Sequence, residues 1–458
     1  MPKKYHFWIS GCQMNYADAR QVAVRLDQLG YQATQIAEEA DVILLQTCTV
    51  RQQAEDRAHG RLQSLRPLKE ERPELTLALM GCVVGVKGNQ VLEKRYPYVD
   101  VWMPPASDGE ALISHLLQDE DRYIEEESTK HRHALQDGDL VMPLHQKGEL
   151  VSAPVAVVYG CSHACSFCII PNRRGVERTR RIGEVVAEVR SLVQRGVKEV
   201  VLLGQIIDRY GKDVPDGPDL ADLLRVVNDV EGLDRIRFLT SHPNYMTERI
   251  LEAVVGLPKV MPQIEIPVQS GDDEVLANMK RGYSAEDYCR LVGRIREMVP
   301  DAAIHTDIIV GFPGETTRQF QNTYQLLAKL EVDKVHLARY SPRSGTVSER
   351  RMIDDVPDDE KRRRFQAIEL MQKDISTRKM ARWMGEIVEV LVEDKPKDRW
   401  RGRSRHGKLV FFNHPGELKG ETVQVRITHA GPWSMSGEPV GKSLSLENRV
   451  DSIPLSMI

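Results

Sequence analysis

Cys161, Cys165 and Cys168 lie in the segment YGCSHACSFCIIP, three residues separating the first pair and two the second, directly after the strand-patterned run APVAVVYG. Three thiolates on one short loop suit three corners of an iron–sulfur cubane. The fourth iron would then lack a protein ligand and stand open to the amino and carboxylate groups of S-adenosylmethionine. An electron from a low-potential cluster would break the sulfonium carbon–sulfur bond and leave a 5′-deoxyadenosyl radical. Zinc and three inert buried thiols are the competing readings. Zinc closes with four ligands, for which His163 is the neighbouring candidate. That histidine sits inside the tight loop, beside thiols already committed to a common centre, which favours the cluster.

Three further cysteines share one placement. Cys12 follows HFWISG, Cys48 follows VILLQT and Cys82 follows LALMG, each just past the end of a strand-patterned run. In an open parallel sheet the carboxyl ends share one edge, so thiols distant in sequence converge there. One such cysteine would read as a small apolar filler. Three at the same step point to a second cluster, again with an open iron. Cys289, among the helical apolar positions of SAEDYCRLVGRIREMV, reads as core. Seven cysteines are an odd number, and the opening MPKKYHFWISGC has too few apolar residues for a secretory signal. Ligation is therefore expected over a disulfide framework, with a cytoplasmic address.

A chain of 458 residues calls for two or three domains. Hydrophobic residues at 41% and charged residues at 28% fit a globular protein, and no apolar run is long enough to span a bilayer. Residues 1–125 alternate short apolar runs with helical patterns, which predicts an open parallel α/β domain. The charged, aperiodic stretch 126–150 reads as a linker. Across 151–380, the runs APVAVVYG, KEVVLLG, RIRFLTS, QIEIPVQS, AAIHTDIIVG and KVHLARYSP alternate with helices. They predict a full or partial α/β barrel with its chemistry at the carboxyl ends of the strands. A long helix begins near Asp358 and stops at Gly385. Residues 384–451 carry short β-patterned runs broken by Gly and Pro, as in a small antiparallel β-barrel.

The net charge of -4 gives no global attraction to nucleic acid, so RNA binding must rest on a local patch. In KPKDRWRGRSRHGKLVFF, Arg399, Arg401, Arg403 and Arg405 alternate, and Lys395 to Lys408 holds seven basic residues against Asp398. Alternate residues of a strand share a face, so these guanidinium groups would form a stripe for RNA phosphates, with Trp400 and Phe411 close by. A charged edge strand that resists aggregation is the competing reading.

The motifs GCQMN, QTCTVR, MGC, GCSHACSFCIIPNRRGVERTR, LLGQ, TSHP, PVQSGDDEVLANMKRGYS, TDIIVGFPGET and YSPRSGT span nearly the whole chain. Together they resemble the methylthiotransferases, which are radical S-adenosylmethionine enzymes. The resemblance implies a central radical barrel, a second [4Fe-4S] cluster on Cys12, Cys48 and Cys82, and a C-terminal RNA-binding TRAM domain. It implies Phe167 near the adenine, and Gly204, Gln205, Gly311 and Gly314 near S-adenosylmethionine, where plain turns are the alternative. Arg174, Gly175, Glu177 and Arg180 match the family motif in PNRRGVERTRR, which sets five arginines against one glutamate.

Within the family, GCQMN points to the branch that adds methylthio to C2 of N6-isopentenyladenosine beside the tRNA anticodon. Threonylcarbamoyladenosine tRNA and a ribosomal-protein aspartate are the substrates of other branches. An RNA-binding protein with structural or redox-sensing clusters is the alternative of another class. The resemblance further implies two molecules of S-adenosylmethionine per product, the tRNA anticodon stem-loop and an external electron donor as partners, no membrane, and a monomer. Three places depart from the family pattern: Glu265 replaces the histidine of HLPVQSG, Ile206 the asparagine after GQ, and VVG follows Cys82 where an Ala-Gln pair is usual.

Overall fold

The computed structural model describes residues 2–50, 52–117 and 150–440. Its N-terminal strands are β1 (Lys4–Ile9), β2 (Gln32–Ala33), β3 (Val42–Thr47), β4 (Thr76–Gly81) and β5 (Val101–Met103). They form one parallel sheet in the order β2-β1-β3-β4-β5. VILLQT and TLALMG are buried along their whole length, as unbroken apolar runs covered on both faces should be. The strand order reverses between β1 and β3, so their carboxyl ends flank the switch point where open α/β sheets take ligands.

The central strands are β6 (Ser152–Ala156), β7 (Val158–Tyr159), β8 (Arg178–Thr179), β9 (Glu199–Leu203), β10 (Arg235–Leu239), β11 (Gln263–Glu265), β12 (Ala303–Val310) and β13 (Lys334–Arg339). Two parallel sheets, β10-β9-β6 and β11-β12-β13, meet where Ile236 bridges to Val260. The result is an open partial barrel of the six expected strands, with β7 and β8 pairing as a small antiparallel ribbon beside the thiol loop. Val155, Leu202, Ile236, Ile264, Ile304 and Ile308 bury against the surrounding helices. The alternate residues, Glu199, Arg237, Glu265, His305 and His336 among them, line a cavity of about 520 Å³ inside the barrel.

The helix expected near Asp358 spans Asp358–Ala381, and Gly385 follows in a left-handed conformation at φ +82°. Strands β14 (Ile387–Asp394), β15 (Trp400–Ser404), β16 (Leu409–Phe412), β17 (Thr422–Ala430) and β18 (Ser434–Pro439) close a barrel in the order β14-β15-β16-β18-β17. All its pairings are antiparallel except β16 with β18. A closed ring of five strands cannot alternate direction throughout, so the expected antiparallel barrel carries one parallel seam.

Two joints fix the domains. The helix Gln13–Gln28 lies against β6: Met14 and Ala17 pack on Ala156, Val201 and Leu203, while Arg20 donates to the Pro154 carbonyl at 2.6 Å and pairs with Glu188 at 3.2 Å. At the other joint the β15–β16 turn meets the amino ends of the barrel strands. Arg237 donates to the carbonyls of Ser404 (2.8 Å) and Arg405 (3.1 Å), and Arg235 pairs with Glu389 at 3.1 Å. The buried Asp333 carboxylate takes Lys379 at 2.7 Å and Lys408 at 3.0 Å. Apart from Leu150 the expected linker lies outside the described residues, as do residues 441–451 of the expected C-terminal barrel.

Candidate active site

Gly11 and Gly81 each precede a cysteine and adopt φ +109° and +106°. A Cβ on Gly11 would stand 2.3 Å from Cys48 Cβ, and one on Gly81 would stand 2.5 Å from the Thr47 carbonyl. The three strand ends therefore approach as closely as they do only because glycine occupies both positions. Asn15, fully buried, donates from Nδ2 to the carbonyls of Ser10 (2.6 Å) and Thr47 (3.1 Å), tying the Cys12 loop to the Cys48 loop. Cys48 and Cys82 are buried and Cys12 is exposed, so this strand edge is open on one side.

Arg174 reaches that edge from the central barrel. It ends the short helix Ile170–Arg174, donates to Asn15 Oδ1 at 2.8 Å and pairs with Asp18 at 3.0 Å, both side chains almost wholly buried. Burial would lower its pKa, but Asp18 and the neighbouring Cys82 and Cys12 raise it overall. Its Nε and Nη1 groups are buried without a hydrogen-bond partner. Burial pushes the Cys82 thiol up to about 11, with Arg174 pulling against it. A guanidinium with unspent donors beside three converging thiols fits a bound cluster, whose thiolates carry negative charge.

The triplet is held by its backbone. Cys161 N–H donates to the Gly175 carbonyl (3.0 Å), Cys168 N–H to the Cys165 carbonyl (3.2 Å), and the buried Ser166 hydroxyl to the Asn278 carbonyl (2.7 Å). Burial raises Cys161 to about 11 and Cys168 to about 12, so metal ligation is what would hold them as thiolates. Arg281 Nη1 donates to Cys165 Sγ at 3.2 Å. His163 Nδ1 stands 3.5 Å from the same sulfur while its ring packs on His242 at 4.6 Å.

Beside Cys161 lie Glu177 and Arg209, paired at 2.8 Å, and next to that pair is Asp208, which burial pushes up to about 8. Glu177 Oε1, Asp208 Oδ1 and His242 Nε2 are buried without hydrogen-bond partners. An unspent carboxylate oxygen, a carboxyl group that burial favours in its neutral form and an unpartnered imidazole suit the amino-acid end of S-adenosylmethionine.

The other expected cofactor contacts divide. Phe167 packs with Val275, Met279, Phe312 and Tyr340, and Ile206, just after Gly204 and Gln205, packs on Cys161. These positions adjoin the triplet. Gly311 and Gly314 do not present free amides, because Gly311 N–H donates to Glu315 (2.6 Å) and Gly314 N–H to Asp355 (2.7 Å). Glu315 is in turn held by Arg364 at 2.6 Å, so this run is a locked turn.

The arginine stripe is shorter than expected. Arg399 is exposed over Phe411 and Arg401 pairs with Asp394 on the outer face, while Arg403 pairs with Glu393 and borders the central cavity. Arg405 folds back to the Pro258 carbonyl at 3.1 Å, and Lys408 is committed to Asp333. Trp400 does not flank the stripe; it is 2% exposed in the barrel core, since its position in β15 points inward.

Sequence reasoning assigned no role to Arg281, Asp208 or His242, although KRGYS and TSHP were both noted as motifs. Nor did it pair Arg174 with Asp18, 156 residues away.

Residues 155–327 match the Radical SAM superfamily, residues 4–104 the uncharacterized protein family UPF0004, and residues 382–440 the TRAM domain. The chain is 41% identical over 446 residues to a tRNA-2-methylthio-N(6)-dimethylallyladenosine synthase of Herpetosiphon aurantiacus, covering 97% of this chain and 99% of that protein. It is 42% identical over 439 residues to a protein of the same name from Roseiflexus sp., covering 95% and 89%. Among solved structures, the radical S-adenosylmethionine methyltransferase TsrM of Kitasatospora setae shares the fold at a TM-score of 0.52 and 14% identity, with 73% of each chain covered.

Proposed function

Because the chain belongs to the tRNA-2-methylthio-N(6)-dimethylallyladenosine synthases, we propose that it adds a methylthio group to C2 of N6-isopentenyladenosine beside the tRNA anticodon, by radical S-adenosylmethionine chemistry. The full-length correspondence with the Herpetosiphon protein carries this reading. The two thiol trios, joined through Arg174, support it. No helix among the described residues is long and apolar enough to cross a membrane. We place the enzyme in the cytoplasm as a monomer that takes the tRNA anticodon stem-loop and electrons from an external donor.

Two [4Fe-4S] clusters and two molecules of S-adenosylmethionine per product would supply a methylated sulfur and a radical able to activate an aromatic carbon–hydrogen bond. The chain's own residues hold and orient these groups. Cys161, Cys165 and Cys168 would ligate one cluster, and Cys12, Cys48 and Cys82 the other. Arg281 and Arg174 place positive charge beside the sulfurs. Phe167 offers an apolar face for the adenine, and Gly204 with Gln205 shapes the wall next to it. Glu177, Asp208 and Arg209 meet the amino-acid end. Arg399 and Arg401 lie on the outer face of the C-terminal barrel as the RNA-facing cations, while Arg403 turns toward the central cavity.

The test is incubation of the reconstituted enzyme with S-adenosylmethionine, dithionite and tRNA bearing isopentenyladenosine, followed by mass spectrometry of nucleosides and small products. Gain of the methylthio nucleoside together with 5′-deoxyadenosine is expected. Turnover of threonylcarbamoyladenosine tRNA alone would move the substrate assignment. Absence of 5′-deoxyadenosine would sink the radical mechanism.

A further inference from the structure

We propose that the lumen of the central barrel binds a divalent first-row transition metal on Glu265, His305 and His336, at a site separate from both thiol trios. One ligand-bearing atom from each of the three residues lies within 4.8 Å of the other two, and His336 Nε2 is already 3.9 Å from Glu265 Oε2. Ligands of one tetrahedral ion with bonds of 2.0–2.2 Å stand roughly 3.4 Å apart, so small side-chain rotations close the set.

The backbone builds this arrangement. Each residue comes from a different one of three adjacent parallel strands, with Glu265 directly opposite His305 and His336 opposite Asp307, the next inward position along β12. Three donors on one curved wall make a facial set, and two imidazoles with a carboxylate suit zinc, iron, cobalt or nickel. The cavity of about 520 Å³ in front of them leaves room for water or a further ligand at the open positions.

Several cations share the lumen: Lys334 stands beside Glu265 and His305, and the others are committed elsewhere. Arg237 is spent on Glu199 and Gln263, Lys408 on Asp333, and Arg403 on Glu393. The site does not depend on the methylthiotransferase reading, since no thiol and no RNA-facing residue takes part.

The test uses the full chain with both clusters reconstituted, equilibrated with Zn²⁺, freed of loose metal by gel filtration and analysed for zinc and iron. About one zinc per chain above the cluster iron is expected, with nitrogen and oxygen neighbours at about 2.0–2.2 Å by X-ray absorption. His305→Ala, His336→Ala and Glu265→Gln should each weaken zinc binding by more than about tenfold while iron stays constant. His336 is partly exposed, so its variant remains informative if the His305 substitution disturbs the core. Failure to retain zinc, zinc that persists in His336→Ala, or sulfur among its neighbours would overturn the site.

Discussion

Replacing Arg174 by methionine tests whether one side chain holds the two thiol trios in register. The substitution removes the guanidinium from a pair whose side chains are 2% and 1% exposed at 3.0 Å. An effective dielectric of about 20 puts the bare attraction at that distance near 5–6 kcal/mol, and burial of both charges offsets part of it. The lone Asp18 left behind keeps one weak contact, Gln46 Nε2 at 3.4 Å, and an Oδ1 without a partner. Loss of one member of such a pair costs about 3–5 kcal/mol.

Urea unfolding of the cluster-free chain followed by far-UV circular dichroism should show that loss in the transition containing the N-terminal domain. Iron analysis of the reconstituted variant should show depletion of the N-terminal site. Adding Asp18→Leu removes the stranded charge and should restore most of the stability, yet leave the iron deficit, because the donors beside Cys12 and Cys82 are still missing. An Arg174→Met protein within about 0.5 kcal/mol of the parent, or a double variant that recovers full iron, would refute the reasoning.

Joint replacement of Cys12, Cys48 and Cys82 by alanine should lower iron from about eight to about four per chain while 5′-deoxyadenosine formation survives; unchanged iron would remove the second cluster. Gly11→Ala forces a Cβ onto Cys48 and a left-handed backbone onto alanine, so selective loss of N-terminal cluster iron is expected, and full occupancy would contradict the close approach. Burial would raise Asp333, but Lys408 and Lys379 bring it down to about 2. Its contribution of about 2 kcal/mol is present above the unfolded pKa and is lost as pH falls from about 4 through about 2. Asp333→Asn should therefore be less stable than the parent at pH 7, with the gap closing in that acid window in cluster-free protein; a gap constant with pH would discount the ion pairs. Arg399→Ala should weaken tRNA binding and reduce the salt slope by about one, and an unaltered slope would take that residue off the RNA face.

Much of this architecture was legible because the burial of parallel strands is written as unbroken apolar runs. VILLQT and LALMG announce both a strand and the edge on which Cys48 and Cys82 stand. The two-residue strand Gln32–Ala33 is too short for any alternation to show. Arginines at alternate positions specify a shared face but not what that face meets, so Arg405 and Lys408 became docking residues once the barrel strands supplied a carbonyl and a carboxylate. Inward polar residues such as Glu265, His305 and His336 read as solvent-facing in a strand pattern, because a period of two does not distinguish a wet lumen from the outside. Arg174 was legible as motif and not as strut, since nothing local pairs it with Asp18.

The joint at Asp333 has a mechanical consequence. One buried carboxylate braces a lysine from the long helix and another from the β15–β16 turn, while from the barrel floor Arg237 clasps the same turn and Arg235 pairs with Glu389 on β14. Swinging the small barrel would require breaking all of these contacts at once. Under the proposed function the domain is then a ruler rather than a tether: RNA gripped on its outer face is presented at a set distance and angle from the thiol edge, so a nucleotide is chosen by where it falls along the measured span as well as by what it is.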